Sequence, residues 1–523
     1  MLERVATSRR RFLQIAGTSS ALLTAGNWRA YARARDQRDA LSIGSRRELF
    51  VDDVLIERLS GAARRRLHHP TPRERVLVHD EPWEGSGSGY HSVFRDGDIY
   101  RMYYKAWHLE ASQGKLDTGR HPLFCCYAES DDGIRWQKPA LGIHEFGGSK
   151  QNNIVLSSGP LGSLNVDAGH PAVFKDANPE VADDGHYKAL VRSSNPNGLL
   201  PFRSADGIHW TPMTSAPMLS GLGAFDSQNL AFWDPTIGQY RAYWRIFTDG
   251  RRAIRTATSP DLMTWGRHTD LTYADSPPEQ LYTNQIKPYH RAPHILIGFP
   301  TRYVDRGWTE SVRSLPEADH RAVRASSVER YGTALTEALL MASRDGVHFQ
   351  RWNEAFLRPG IERPDTWNYG HQYVAWHAVE TVSDLDGAAA ELSLYASESY
   401  WTGQGSALRR YTLRLDGFVS VSADMSGGEL LTKPMRFDGS QMQLNFASSA
   451  AGGIRVEIQN PDGSPVAGRT LADCDELFGD TIDRTVTWQG DANLDALRNR
   501  PVRLRFALQD ADLYAFQFVA TAT

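Results

Sequence analysis

Short runs of alternating apolar and polar residues, broken by Asp-Gly and other turn pairs, occupy most of this chain. Such runs predict β-strands. One unit recurs: an apolar strand, a polar turn, then a second strand that opens on Tyr. Ser92-Val93-Phe94 leads to Tyr100-Arg101-Met102-Tyr103-Tyr104-Lys105, Ala172-Val173-Phe174 to Tyr187-Lys188-Ala189-Leu190-Val191-Arg192, and Leu230-Ala231-Phe232 to Tyr240-Arg241-Ala242-Tyr243-Trp244-Arg245. Looser copies start at Tyr282 and Tyr373. Each of the first four units ends on Ser-x-Asp-x-x-x-aromatic, at Ser130–Trp136, Ser204–Trp210, Ser259–Trp265 and Ser343–Phe349; Asp416-Gly417 is a degenerate fifth. Glycine accepts positive φ, so these read as tight turns between outer strands.

Five units of about four strands predict an all-β chain with a five-bladed β-propeller over residues 45–426. Leu49-Phe50-Val51 and Val54-Leu55-Ile56 are candidates for a strand that closes the ring. From about Gly427 the strands lengthen, as in Ile454-Arg455-Val456-Glu457-Ile458, and turn signals at Asp438-Gly439 and Pro461-Asp462-Gly463 separate them. That pattern predicts a C-terminal β-sandwich over 427–523. The polar stretch from Asp305 to Arg330 is expected to be a loop over one face, and almost no helix is expected after residue 40.

The N-terminus differs. Ser8-Arg9-Arg10-Arg11-Phe12-Leu13-Gln14 precedes a weakly hydrophobic stretch diluted by Gly17, Thr18, Ser19 and Ser20, and then Ala30-Tyr31-Ala32 and Ala32-Arg33-Ala34. This order resembles a twin-arginine signal peptide, residues 1–34, which implies a periplasmic or secreted protein that crosses the membrane already folded. The stretch is too short and too polar for stable membrane insertion. These 34 residues carry six arginines against Glu3, so removing them takes the formal net charge from −4 to −9, which argues against nucleic acid as a partner. With 41% apolar and 23% charged residues the remainder has an ordinary globular composition. Cys125, Cys126 and Cys474 offer neither a disulfide framework nor a zinc spacing. The 14 Trp and 20 Tyr residues are read as propeller core, or as flat faces on which sugar rings stack.

In a propeller the residues just before each innermost strand ring one mouth of the central channel. Those positions hold Asp167 in the second unit, Asp226 in the third and Glu279 in the fourth. Cleaving a glycosidic bond takes one carboxylic acid kept protonated for the leaving oxygen and one carboxylate at the anomeric carbon or its water. The alternative for each of the three is a cap on backbone N–H groups. Glu84, and Glu398 beside Trp401, are further carboxylate candidates. Lys105, Arg192 and Arg245 each fall five positions after the Tyr that opens a second strand, and Arg302 holds a similar place. These four cations are expected either to surround the carboxylates and bind an anionic sugar, a uronate or sulfate ester, or to pair with neighbouring acids. His91, His170 and His371 lie near the same strand starts; they are read as structural, no metal is assigned, and no cofactor is called for.

The repeat count, the trio of acids and the trailing sandwich resemble the five-bladed propeller glycoside hydrolases, the invertase/levansucrase and arabinanase/β-xylosidase clans, in a divergent branch. The resemblance is architectural; the chain has no Asn-Asp-Pro-Asn near its start, no Arg-Asp-Pro and no Glu-Cys pair. It implies that Asp167 is base or nucleophile, Asp226 the transition-state stabiliser and Glu279 the general acid, on an oligo- or polysaccharide. A non-catalytic carbohydrate-binding propeller, and a lyase or sulfatase-like chemistry, stay open. The Ser-x-Asp-Gly turns are also those of sialidases, where they only staple hairpins.

Overall fold

A computed structural model of the chain describes residues 40–221 and 223–520. The twin-arginine segment lies outside the described residues. The protein is built from β-sheets, and among the described residues no helix is long and apolar enough to cross a membrane.

Five antiparallel meanders follow one another along the chain. The first contains Gly89–Asp96, Ile99–Ala106, Phe124–Ser130 and Ile154–Ser157; the second is built on Leu164–Lys175, Tyr187–Asn195 and Asn197–Ser204; the third on Leu230–Asp234, Gln239–Thr248 and Arg251–Ser259. The fourth runs from Lys287–Tyr289 through Ala292–Gly298 and Met341–Ser343 to His348–Arg351, with Thr272–Ala274 added in parallel at its outer edge. In the fifth, Val379–Thr381, Glu391–Glu398 and Ala407–Arg414 are completed by Thr71–Val78, from the other end of the chain. The closing strand is therefore not Leu49–Ile56. Leu49 pairs with Ala515, and Ile56–Gly61 with Gly428–Thr432, in a separate eight-stranded sheet.

That eight-stranded sheet contains the long strands Gln441–Gln459 and Arg503–Val519, whose register shifts between Ser448 and Gly453. Bulges let long strands bend, and the sheet curls around a core that includes Phe437, Leu444, Phe446, Trp488, Phe506 and Phe516.

The repeated turns are stapled by their own side chains. Ser130 Oγ donates to Asp132 Oδ1 (2.9 Å) and accepts from Gly133 N (2.9 Å), and Asp132 Oδ1 accepts from the N–H groups of Ile134 and Arg135 at 2.8 Å. Ser204/Asp206 and Ser343/Asp345 repeat the arrangement, and Ser259/Asp261 repeats its serine–aspartate core. A tyrosine of the preceding sheet then holds three of the turns: Tyr395 donates to Gly133 O at 2.5 Å, and Tyr103 to Gly207 O and Tyr243 to Gly346 O at 2.9 Å. Gly207 sits at φ +81°, and a Cβ there would meet the Tyr103 hydroxyl at 2.5 Å, so the turn needs glycine on both counts.

Two buried glutamines join the innermost strands. Gln228 Nε2 donates to the carbonyls of Tyr90 (2.9 Å) and Pro171 (3.0 Å), in the first and second sheets. Gln285 Nε2 donates to Gln228 Oε1 (2.7 Å) and to Val374 O (2.9 Å), beside the fifth sheet. Trp376 N donates to His91 O at 2.7 Å, which brings the fifth sheet against the first.

The stretch from Asp305 to Arg330 departs from expectation. It carries short helices, Glu310–Arg313 and Ala318–Ser327, followed by Arg330–Thr333. Ala318, Ala322 and Ala325 favour a helix, and Arg321 and Arg324, three apart, share its buried face. Arg321 donates to Trp367 O at 2.6 Å and Arg324 to Asn368 Oδ1 at 2.9 Å, which gives these polar groups the partners burial requires.

Candidate functional site

The strand starts at one end of the meanders converge on Asp167 and Asp226. Asp167 is buried. It accepts from His170 Nδ1 (2.8 Å), Gly169 N (2.9 Å) and Arg192 Nη1 (3.5 Å). Asp226 is paired with Arg245 and its side chain is 59% exposed, so it is the carboxylate a ligand can reach. Burial by itself would push both carboxyls up. For Asp167 the charges and hydrogen bonds of His170 and Arg192 outweigh it, and for Asp226 those of Arg245, His170 and Arg192 do, so both are held below the usual range. The two acids thus share His170 and Arg192 as neighbours.

Lys105 lies in the same place. Its Nζ is 4.5 Å from the Tyr90 ring centre and 4.9 Å from that of Trp107, and donates to Tyr400 Oη at 3.4 Å. Burial pulls its amine down to about 7, although the charge of Asp167 works the other way. Arg245 stacks 5.0 Å from the Tyr282 ring, and Arg252 lies 5.1 Å from Tyr282 and 4.4 Å from Tyr303. Tyrosines pack the floor: Tyr282 and Tyr373 rings stack at 5.4 Å, Tyr90 and Tyr373 at 6.0 Å, and the hydroxyls of Tyr282 and Tyr369 are 2.7 Å apart. Trp401 belongs to this cluster, with Arg324 5.7 Å from its ring.

Glu279 does not join them. It accepts from Arg302 Nη1 and pairs with Arg351 Nη2, both at 2.9 Å, while Arg302 also holds Glu337. Strand parity explains this. Gln280–Leu281 pairs with Thr301–Asp305, Leu281 standing opposite Arg302 and Gln280 opposite Tyr303. Side chains alternate across a strand, so Tyr303, Gln280 and Tyr282 lie towards Arg252, and Glu279 and Arg302 lie on the other face. Gln280 Oε1 accepts from Arg252 Nη1 at 2.5 Å on the side that faces the tyrosines.

Parity also removes Glu84, which accepts from Tyr104 Oη (2.5 Å) and Lys138 Nζ (2.6 Å). Tyr104 and Lys105 point to opposite faces, so Glu84 is buried away from Asp167; burial outweighs Lys138 and raises its carboxyl. Glu398 is enclosed by Arg75, Arg363 and Arg409. The three histidines have separate settings: His91 Nε2 lies 3.0 Å from His79 Nε2, His170 is bound to Asp167, and His371 Nδ1 accepts from Trp367 N at 3.2 Å. Among the described residues no three His, Cys, Asp or Glu side chains form a metal-binding group.

Sequence reasoning brought Lys105, Asp167, Arg192, Asp226, Arg245 and Trp401 to the right neighbourhood. It missed Arg252 and the tyrosines as a group. The signal was present, because Tyr90, Tyr282 and Tyr373 occupy the strand-start positions that were searched for acids.

No protein-family model matches the chain, and no curated protein matches it. Solved structures similar to it include glycoside hydrolases. One is BT0996 in a complex with RGII, at 15% identity over 66% of this chain and 92% of that one, TM-score 0.42. Another is an endo-arabinase from Bacteroides thetaiotaomicron, at 14% identity over 66% of this chain and 97% of that one, TM-score 0.35. An N-acetylgalactosamine deacetylase from F. plautii, in complex with blood group B trisaccharide, has 12% identity over 67% of this chain and 95% of that one, TM-score 0.40. Likeness at this level defines neither an activity nor a substrate.

Proposed function

We propose that the chain is an exported glycoside hydrolase that acts on an anionic sugar, built as a five-bladed β-propeller with a β-sandwich. The five meanders, tied through Gln228 and Gln285, support the propeller. The strands Glu48–Leu49, Ile56–Gly61 and Arg64–Leu67 assign the first part of the described chain to the sandwich, together with the strands from Val419 onward. Export through the twin-arginine route rests on Ser8-Arg9-Arg10-Arg11-Phe12-Leu13 alone.

The observation that carries the activity is the pair of ionised carboxylates, Asp167 and Asp226, sharing His170 and Arg192 above a floor of tyrosine rings. In this reading Asp226, the exposed member, acts at the anomeric centre or its water. Asp167, buried and fully hydrogen-bonded, supplies fixed negative charge opposite the developing oxocarbenium ion. These roles exchange the two that chain position alone suggested. Glu279 has no part, and Lys105 is assigned the proton for the leaving oxygen, because an amine near 7 both holds and gives a proton at neutral pH. Lys105, Arg192, Arg245 and Arg252 outnumber the two acids, which favours an anionic substrate such as a uronate.

The test is hydrolysis of uronate-containing against neutral oligosaccharides, with Arg252→Met as the probe. The expected result is a preference for the uronate, and a KM for it raised roughly tenfold in Arg252→Met with kcat nearly unchanged. Equal rates on neutral and anionic sugars would remove the anionic assignment. One observation favours the second reading, a non-catalytic sugar-binding propeller: the third acid faces away from the pair. Tight glycan binding with no turnover on any sugar would establish that reading instead.

A further inference from the structure

The innermost strands have a second end. Residues late in those strands line a cavity of about 320 Å³, among them Phe94, Lys287, Tyr289, Phe299, His377 and Phe418. Tyr90 and Phe94 are four residues apart in one strand, about 13 Å in extended chain, so this cavity lies at the opposite end from Asp167 and Asp226. Gln285, which bonds to Gln228 between the sheets, also lines it.

Its polar groups are arranged for a negatively charged guest. Lys287 is partly exposed, and its Nζ lies 2.5 Å from His377 Nε2 and 5.5 Å from the Trp376 ring. Among the described residues no carboxylate acts on Lys287, and burial pulls its amine down to about 7. Glu380, at the rim, is engaged by His290 (2.8 Å) and Arg291 (3.5 Å), and Arg95 donates to Gly97 O. His377, buried, is held well below the usual histidine range by burial and by Lys287. Two buried polar atoms of lining residues, His377 Nδ1 and Gln285 Oε1, have no hydrogen-bond partner. A cation without a counter-ion and two orphaned polar atoms, in a cavity walled by aromatic rings, ask for a ligand that combines a carboxylate with a flat apolar body.

We infer that this cavity binds a small aromatic carboxylate, its carboxylate against Lys287 and His377 and its ring between Phe94, Phe299 and Phe418. The site is separate from the sugar site, and neither reading depends on the other. The bound carboxylate stabilises the protonated amine, so affinity is full below about pH 7 and falls as pH rises through that value.

Benzoate is the probe, with calorimetric titration of the whole protein at pH 6.0 and pH 8.5. Benzoate is expected to bind at pH 6.0 at least tenfold more tightly than benzamide, and to weaken at least tenfold by pH 8.5. Lys287→Met should abolish that preference and Lys287→Arg should keep it, with the far-ultraviolet circular dichroism of each variant compared with the wild type. Arg245→Met, at the other end, should leave benzoate binding unchanged; loss of binding there would locate the probe at the sugar site and overturn the proposal. Equal binding of benzoate and benzamide, or wild-type affinity that does not change with pH, would overturn it without any variant.

Discussion

Asp226→Asn is expected to lower turnover of a confirmed glycan substrate by at least ~100-fold, whatever the leaving group, with binding retained. The argument is geometric. Asp226 is the exposed member of the carboxylate pair, it is ionised through Arg245, His170 and Arg192, and an amide in its place can neither attack nor activate water. Lys105→Met gives the contrasting result. If the amine supplies the leaving-group proton, its loss should cost ~100-fold on an alkyl glycoside and far less on an activated aryl glycoside, which needs no proton. Wild-type rate on the alkyl substrate should also fall as pH rises through about 7, where Lys105 loses its proton, and Lys105→Met should remove that limb. Glu279→Gln should leave both substrates within a few-fold of wild type, because Arg302 and Arg351 hold it on the other face. If Glu279→Gln instead reproduced the leaving-group dependence, the proton would belong to Glu279 and the parity argument would fail.

That contrast also marks where the sequence was legible. The Ser-x-Asp turns could be read from the chain because every interaction that builds them is local: Ser130, Asp132 and Gly133 bond among themselves, and the same spacing recurs at Ser204 and Ser343. Asp167 and Asp226 could be located because each lies close before or at the start of a strand that pairs in regular order. The fourth unit broke the count. Gln280–Leu281 pairs with Thr301–Asp305 in a sheet of its own, and the innermost strand starts only at Lys287. A shift of one residue turns a side chain to the opposite face, and it turned Glu279 outward while Tyr282 faced in. The ring-closing strand was illegible for another reason. Thr71–Val78 bonds to Ala407–Arg414 more than 300 residues away, and nothing local distinguishes it from Ile56–Gly61, which joins a different sheet. The helix Ala318–Ser327 was hidden because its buried face is made of Arg321 and Arg324 rather than of apolar residues.

Glu398→Gln is expected to destabilise the protein by about 3 to 5 kcal/mol at pH 7, the usual cost of removing one partner from a buried ion cluster. The Glu398 side chain is wholly shielded, and Arg75, Arg363 and Arg409 all direct guanidinium groups at it, with Arg409 Nη2 at 2.9 Å and Arg75 Nε at 2.6 Å. An amide cannot balance three cations, and those arginines link the ends of three segments far apart in sequence: Thr71–Val78, the loop holding Arg363, and Ala407–Arg414. The pH dependence follows from the same contacts. Burial alone would raise the Glu398 carboxyl, but hydrogen bonds from Arg409, Arg363 and Arg75 outweigh it and hold it at about 2, against 4.5 for the free side chain. A lowered carboxyl stabilises the fold fully above 4.5, and that contribution is lost as pH falls from 4.5 towards 2. Urea unfolding at pH 7 and pH 3.5 should therefore show the gap between wild type and Glu398→Gln shrinking by about 1 kcal/mol, after allowance for screening of the half-exposed Arg75 and Arg363. A gap of the same size at both pH values would mean that the loss comes from altered packing and not from the charge.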